Sequence, residues 1–307
     1  MQKIKIISRN SKLAMWQAEF VKAKLIEHYP QLEVEIIGIT TEGDRILDKS
    51  LEKIGGKGLF IKELEYQLIA GAADIAVHSL KDLPANLVGE FTLAAILKRE
   101  NPFDALVSNN YQNLQEMPAG SVIGTSSARR VAVLRKYYPH LEIKLLRGNL
   151  QTRIAKLDNG EYDAIVLAVA GLKRLGLENR ITQVLPDNQF IPAIGQGALA
   201  IEICNTRTDL ISLLAPLNDS ESSAAVFAER EMGRFLNASC NIPIAGYAEV
   251  RGDTLELRAM LADSEEQQYL LSSCVGCVDD YLEIGQRCAA NLLKQGADRI
   301  VKKYSKV

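Results

Sequence analysis

The sequence predicts an α/β protein: two hinged, doubly wound domains with mainly parallel sheets, followed by a small α+β domain at the C-terminal end. Three observations carry this. Strand and helix patterns alternate through residues 1–98 and again from residue 122 to 168, which is βαβ order and implies parallel strands. Two turn-forming segments, Arg99–Pro102 and Pro192–Gly197, read as crossings by which the chain leaves the first domain and later returns to it. After Asp219 the order changes to helix, three strands, helix. The expected domains are 1–98 plus 197–217, 99–196 and 218–307.

Ile4–Ile7 alternates as a strand, and Leu13–His28 has helical spacing that stops before Pro30, since a proline drives the residue ahead of it out of the α region. Val34–Ile39 is a strand, Leu59–Ala70 a helix ended by Gly71, and Asp74–Val77 a short apolar strand. In the second unit Val122–Ile123 is a strand, Ala128–Tyr138 a helix stopped before Pro139, and Leu141–Leu146 a strand. Leu150–Leu157 follows as a helix capped by Asn159 and Gly160, then Ala164–Ala168 as a strand. In the last unit Ser220–Leu236 is a helix N-capped by Asp219 or Ser220. Strands Ile244–Arg251, Thr254–Leu261 and Gln268–Val275 come next, and a helix Tyr281–Lys294 is closed by Gly296.

With 307 residues and 47% hydrophobic content the chain can bury a sizeable core. Its net charge of −2 gives no global field to draw it onto nucleic acid or an anionic membrane, so any anion binding is local. The segment Gln2–Ser8 reads as a strand rather than a signal peptide, and no apolar run reaches ~18 residues, which points to a cytoplasmic protein with no membrane partner. Five cysteines, at 204, 240, 274, 277 and 288, are an odd number in a chain that does not need disulfides, and reduced thiols are expected. Cys274 and Cys277 have C-x-x-C spacing but no second pair, and His28, His78 and His140 are distant in sequence, so one strand-borne and one loop thiol is the better reading than a metal site.

In open parallel sheets, ligands bind beyond the carboxyl ends of the strands. Arg9 and Ser11 follow the first strand, with Ser11 able to cap the next helix. Gly55–Gly58, with Lys53 and Lys57, lacks the Ser or Thr of a nucleotide P-loop and reads as a Gly-rich lid bearing two lysines. Asp74–Pro84 runs from an apolar strand into Ser79, Lys81 and Asp82; a carboxylate there can hold N–H donors or developing positive charge, whereas a surface Lys81–Asp82 pair alone would be worth little. His78 reads as a satisfied structural histidine. Gly124–Arg130 sets Thr125, Ser126 and Ser127 before Arg129 and Arg130 in the first turn of a helix, where the dipole gives a cation no benefit and an anionic ligand explains it. Arg147, Asn149 and Arg153 repeat the arrangement after the next strand, and Lys173 and Arg174 after the one following. Cys240, in the loop Asn237–Pro243 between a helix and a strand, is a candidate covalent attachment point facing the other two domains.

These motifs resemble one family, porphobilinogen deaminase (hydroxymethylbilane synthase). The matching segments are Gly55–Phe60, Asp74–Asp82, Gly124–Arg130, Arg147–Arg153, Asp158–Leu177, Pro192–Gly197 and the Cys240 loop, spanning the first two domains almost end to end. The resemblance implies a periplasmic-binding-protein-like pair of domains plus the third, and a transferase of haem and tetrapyrrole biosynthesis. Four porphobilinogen molecules would be joined head to tail with loss of ammonia and released by hydrolysis as hydroxymethylbilane. A dipyrromethane cofactor would be held through a thioether to Cys240. Asp82 would be the catalytic carboxylate, stabilising the cation formed as ammonia leaves. Arg9, Ser11, Lys53, Lys57, Ser79, Lys81, Thr125, Ser126, Ser127, Arg129, Arg130, Arg147, Asn149, Arg153, Arg174 and Gln196 would bind cofactor and substrate. The protein would act as a monomer on this small molecule, without metal, nucleic acid or membrane. The chain departs from the family at Ala238, Ser239 and Ala245, where glycines are usual; a positive φ required at 238 or 239 would strain the loop.

Two rivals remain at the level of sequence. A non-catalytic, hinge-closing anion-binding protein of the periplasmic-receptor type would share the two-lobed architecture but not the loop cysteine or Asp82 among cations. A phosphate-ester enzyme would need a carboxylate cluster for metal, and none is evident.

Overall fold

The computed structural model describes residues 3–41, 61–87, 89–239, 241–263 and 265–305. Lys53, Lys57, the Gly55–Phe60 segment and Cys240 lie outside the described residues.

Three sheets organise the chain. The first has the order β2-β1-β3-β10-β4, formed by β1 (Lys3–Arg9), β2 (Glu33–Ile39), β3 (Ile75–Ser79), β4 (Phe91–Ile96) and, from much later in the chain, β10 (Leu199–Cys204). The second has the order β7-β6-β8-β5-β9, from β5 (Asp104–Ser108), β6 (Val122–Gly124), β7 (Glu142–Lys144), β8 (Ala164–Ala168) and β9 (Gln183–Val184). In each, the βαβ strands pair in parallel: β1 with β2 and β3, and β6 with β7 and β8. The strands at the crossings, β10 and β5, run antiparallel to their neighbours. The third sheet is an antiparallel meander of β11 (Ile244–Arg251), β12 (Thr254–Asp263) and β13 (Gln268–Cys277), covered by helices Ser220–Phe235 and Tyr281–Lys294.

The sequence reading did not place β4, β5, β9 or β10. Every residue of β5 and β10 is buried, so neither strand carries the polar and apolar alternation of a half-exposed strand. The described part of the helix expected over Leu59–Ala70 is Lys62–Ile69, and the strand expected over Leu141–Leu146 shortens to Glu142–Lys144.

Local capping follows the sequence. Ser11, Ser127, Asn149 and Asp219 each accept a backbone N–H from the first turn of the helix they precede. Ile4, Ile6, Ile75 and Val77 pack on Ala18, Val21 and Leu25 of the helix Lys12–His28, while Ile7 and Ala76 face Leu64 and Leu68 on the opposite side of the first sheet. Met260 and Ala262 of β12 pack with Ile123, Val133 and Phe190 of the second unit, so the third sheet has an apolar seat there. Burying such side chains supplies most of the cohesion, at roughly 25 cal/mol per Å² of apolar surface. The two crossings touch: Glu100 N–H donates to Gly197 O, at 3.2 Å. Gly197 has φ +90°, and a Cβ there would collide with the Glu100 carbonyl oxygen, so only glycine fits.

Candidate active site

The carboxyl ends of β1, β3 and β6 carry the expected polar turns. Arg9, Ser11, Ser79, His78 and Asp82 line one cleft, together with Gln17 and Leu64. Gln17, which the sequence reading did not single out, is buried in the helix Lys12–His28 and donates from Nε2 to Ser79 Oγ at 2.8 Å. Lys81 and Asp82 occupy a single 3₁₀ turn directly after β3. Lys81 Nζ donates to Gln196 Oε1 at 3.3 Å, so the turn is tied to the second crossing.

Arg129 and Arg130 have an internal partner that the sequence reading missed. Asp104, the first residue of β5, accepts from Arg129 Nη1 at 2.7 Å, Arg130 Nη2 at 2.7 Å and Gln196 Nε2 at 2.9 Å, and is fully buried. The arginines also donate to the carbonyls of Ile191 and Val166. Two cations at this helix N-terminus therefore do not by themselves require an external anion, contrary to the expectation from the helix dipole, because Asp104 already pairs with both. The available sign was a lone Asp opening the apolar run Ala105-Leu106-Val107. Burial alone would push Asp104 up, but the charges of Arg129 and Arg130 more than offset this and hold it well below the usual carboxylate range.

One carboxylate against two guanidinium groups leaves positive charge over, and more cations join it. Burial pushes Arg153 down to about 10, reinforced by the charges of Arg130 and Arg147 and opposed by Asp82. Burial also lowers Arg147, and brings Arg174 to about 10 against the pull of Glu100. Lys81 is pushed down to about 8 by the protein around it, with Asp82 opposing and Arg130 adding to the drop. Its side chain is nonetheless exposed, and the surrounding water counters the desolvation. Asp82 thus sits in one field with Lys81 and Arg153. Arg153 Nε donates to Gly148 O at 2.8 Å and Arg174 Nη2 to Gly197 O at 2.6 Å, which fixes both stems. Asn149 caps the helix Leu150–Asp158, Thr125 Oγ1 accepts from Ser127 N–H at 3.2 Å, and Ser126 lies between them in the same turn.

The residues fit a ligand bearing several carboxylates. Within this site the described cations outnumber the acids, they repel one another, and the Nε of both Arg129 and Arg130 is buried without a hydrogen-bond partner among the described residues. Planar guanidinium groups suit carboxylates in bidentate geometry.

The loop approaching Cys240 is relaxed. The left-handed residue is Asn237, at φ 49°, a residue type that tolerates this conformation, while Ala238 and Ser239 keep ordinary backbone angles. Ala238 N–H closes the helix on Gly233 O at 2.8 Å, and Ile242 N–H donates to Ser239 O at 3.1 Å. The strain expected from missing glycines is therefore absent at 238 and 239. Ala245, in place of another glycine, is fully buried in the seam between the second and third sheets. Cys274 and Cys277 both lie on β13, one buried and one exposed, rather than on a strand and a loop.

Residues 4–212 match the family model described as "Porphobilinogen deaminase, dipyromethane cofactor binding domain", and residues 223–294 match "Porphobilinogen deaminase, C-terminal domain". Porphobilinogen deaminase of Laribacter hongkongensis is 54% identical over 301 residues, covering 98% of this chain and 98% of its own. That of Nitrosomonas europaea is 51% identical over 300 residues, covering 98% of this chain and 97% of its own. Among solved structures, the methionine binding protein MetQ superposes with a TM-score of 0.46 at 15% identity, over 74% of this chain and 96% of that one.

Proposed function

The chain belongs to the porphobilinogen deaminase family, and from that premise we propose how its residues divide the work of joining four porphobilinogen molecules head to tail with loss of ammonia. Family membership sets aside both the non-catalytic anion binder and the phosphate-ester enzyme. The division of labour rests on one observation: Lys81, Arg130, Arg147 and Arg153 share a single electrostatic field with Asp82.

The dipyrromethane cofactor supplies the free pyrrole carbon at which substrate is added. Cys240, which falls in sequence between the helix Ser220–Phe235 and β11, would hold it by a thioether. Thr125, Ser126, Ser127, Arg129, Arg130, Arg147 and Asn149 would receive carboxylates from the second-sheet side, and Lys81, with Gln196 behind it, from the first. Arg9, Ser11, Ser79, Arg153 and Arg174 would hold the acetate and propionate groups of incoming porphobilinogen, with Lys53 and Lys57 outside the described residues. Each guanidinium fixes a carboxylate without moving a proton. Asp82 accepts pyrrole N–H groups, and its charge offsets the positive charge that develops on the substrate as ammonia departs. That interaction is strongest in the transition state and so acts on turnover more than on binding. The protein is read as a cytoplasmic monomer acting on this small molecule without nucleic acid or membrane, in keeping with its net charge of −2.

Intact mass and turnover test the division together. The purified protein should exceed its sequence mass by two porphobilinogen units less two ammonia, and Cys240→Ser should lose both the adduct and turnover. Asp82→Asn, which keeps size but not charge, should fold normally and turn over ~10²-fold or more slowly. An unmodified yet active protein would overturn the attachment, and near-normal turnover in Asp82→Asn would reduce that carboxylate to a structural one.

A further inference from the structure

On the wall of the cleft that holds Asp82, His78 Nε2 lies 2.9 Å from Glu202 Oε2, with the two side chains 6% and 0% exposed. The pair is built by the antiparallel β3–β10 ladder, which sets His78 opposite Ala200 and Glu202 opposite Ala76, placing both on the same face. Glu202 spends one oxygen on His78; the other is buried and unpartnered among the described residues. Arg230, near Glu202 on the helix Ser220–Phe235, gives its hydrogen bonds to the carbonyls of Pro84 and Ala85 instead. Glu65, on the helix Lys62–Ile69, faces the pair as a further acid, and Asp82 and Arg9 share the cleft wall. A buried carboxylate whose described partner is a single imidazole is stabilised by any proton that the imidazole takes up. No hydrogen bond to His78 Nδ1 is formed among the described residues, and His78 is one of the residues that line the cleft.

Each condensation has to move one proton. The pyrrole carbon that forms the new C–C bond must lose its hydrogen, and the amine leaves as ammonia. Building on the cleft as the site of the family's reaction, we propose that His78 and Glu202 form its proton-accepting pair: His78 Nδ1 takes the proton from the attacked pyrrole carbon, and Glu202 is the positioning residue that holds Nε2–H and stabilises the resulting imidazolium. The C–H bond breaks and its electron pair restores the aromatic ring. The imidazolium then passes the proton to the ammonia released in the same turn, which departs as ammonium. A carboxylate behind an imidazole fixes its tautomer and raises its basicity, as it does in hydrolytic triads.

The test compares Glu202→Gln and His78→Gln with Asp82→Asn as cofactor-loaded enzymes, the load read by intact mass. Glu202→Gln should lower kcat by ~10²-fold with KM little changed, the usual scale for losing general acid–base help. Removing the Glu202 carboxylate should also change the acid limb of the kcat–pH profile, and His78→Gln should abolish that limb. A loaded Glu202→Gln enzyme with the wild-type limb or near-normal kcat overturns the proposal, as does a loss of rate that merely tracks loss of loading or of Tm. If these variants do not fold, ¹⁵N NMR of the wild-type holoenzyme decides, since the chain has only three histidines to assign. A neutral His78 carrying its proton on Nδ1, or no titration between pH 5 and 9, overturns it; a proton on Nε2 with titration supports it. Full activity in Asp82→Asn would show instead that the reading of the cleft itself has failed.

Discussion

Lys81 is held between opposing pulls, the protein around it lowering its affinity for a proton and Asp82 raising it. The net effect places its titration below that of an ordinary lysine, near 8. A bound carboxylate favours the ammonium, so the ligand-bound form keeps its proton to higher pH than the free form. Binding then takes up a proton above about 8, and affinity must fall as pH rises through that region. The KM for porphobilinogen should climb several-fold, at most ~10-fold, between pH 8 and 9. Lys81→Arg, charged throughout, should flatten the climb; the same rise in that variant would place its origin elsewhere. For the ligand-free fold the sign is opposite. Unfolded lysine, at 10.5, binds the proton that the folded form has released, so stability contributed by this residue rises with pH between about 8 and 10.5. The Lys81-Asp82 pair was legible in sequence as charged residues directly after an apolar strand, and a 3₁₀ turn holds them there. His78 was readable only as a structural histidine, because its partner Glu202 is 124 residues away.

The strand-end turns combine two roles that sequence alone does not separate. Gly124–Arg130 stood out because small hydroxyls and two arginines at a helix N-terminus are poor choices for stability. Its arginines nevertheless close on Asp104 inside the protein, whereas Arg153 and Arg147 have no comparable acid among the described residues and are pushed down by burial. The two sets should part experimentally. In a cofactor-free Cys240→Ser background, Asp104→Asn strands two buried guanidinium groups and should cost ~3–5 kcal/mol, seen as a clear fall in Tm. Arg153→Leu removes a repelled cation, and should leave the cofactor-free Tm unchanged or raised while slowing elongation in the Cys240 enzyme. Equal destabilisation by both would mean that Arg153 is structural too. The strands β5 and β10 that carry Asp104 and Glu202 were invisible for a related reason. Buried on both faces, they lack alternation, and each pairs antiparallel with a strand distant in sequence.

The crossings were legible at the scale of the whole molecule from their turn residues, but not what they grip. Glu229, fully buried on the helix Ser220–Phe235, accepts from Arg99 Nη1 at 2.6 Å and Nη2 at 3.2 Å, from Gly195 N–H at 2.7 Å and from Ala248 N–H at 2.8 Å. Arg99 Nε reaches the carbonyl of Gln196, whose side chain joins Lys81 and Asp104. One carboxylate therefore ties the third unit to both crossings, and the crossings to the two basic turns. Tyr247 of β11 reinforces the junction, its ring 5.1 Å from the Arg99 guanidinium and 5.5 Å from that of Arg258. Glu229→Ala leaves Arg99 as an uncompensated buried charge and two N–H groups without acceptors, a loss of ~3–5 kcal/mol by analogy with other broken buried pairs. The apolar seat of the third sheet on the second unit remains, so the molecule should still fold, but with weaker coupling. Scanning calorimetry should show one transition in the wild type and, in Glu229→Ala, a lower Tm with the third unit's melting resolved from the rest. Arg251→Ala is the control. Its bond to Glu249 on the same strand lies between side chains 74% and 40% exposed and should be worth no more than ~1 kcal/mol. Should the two variants shift Tm equally and leave a single transition, the junction is held by apolar packing and not by Glu229.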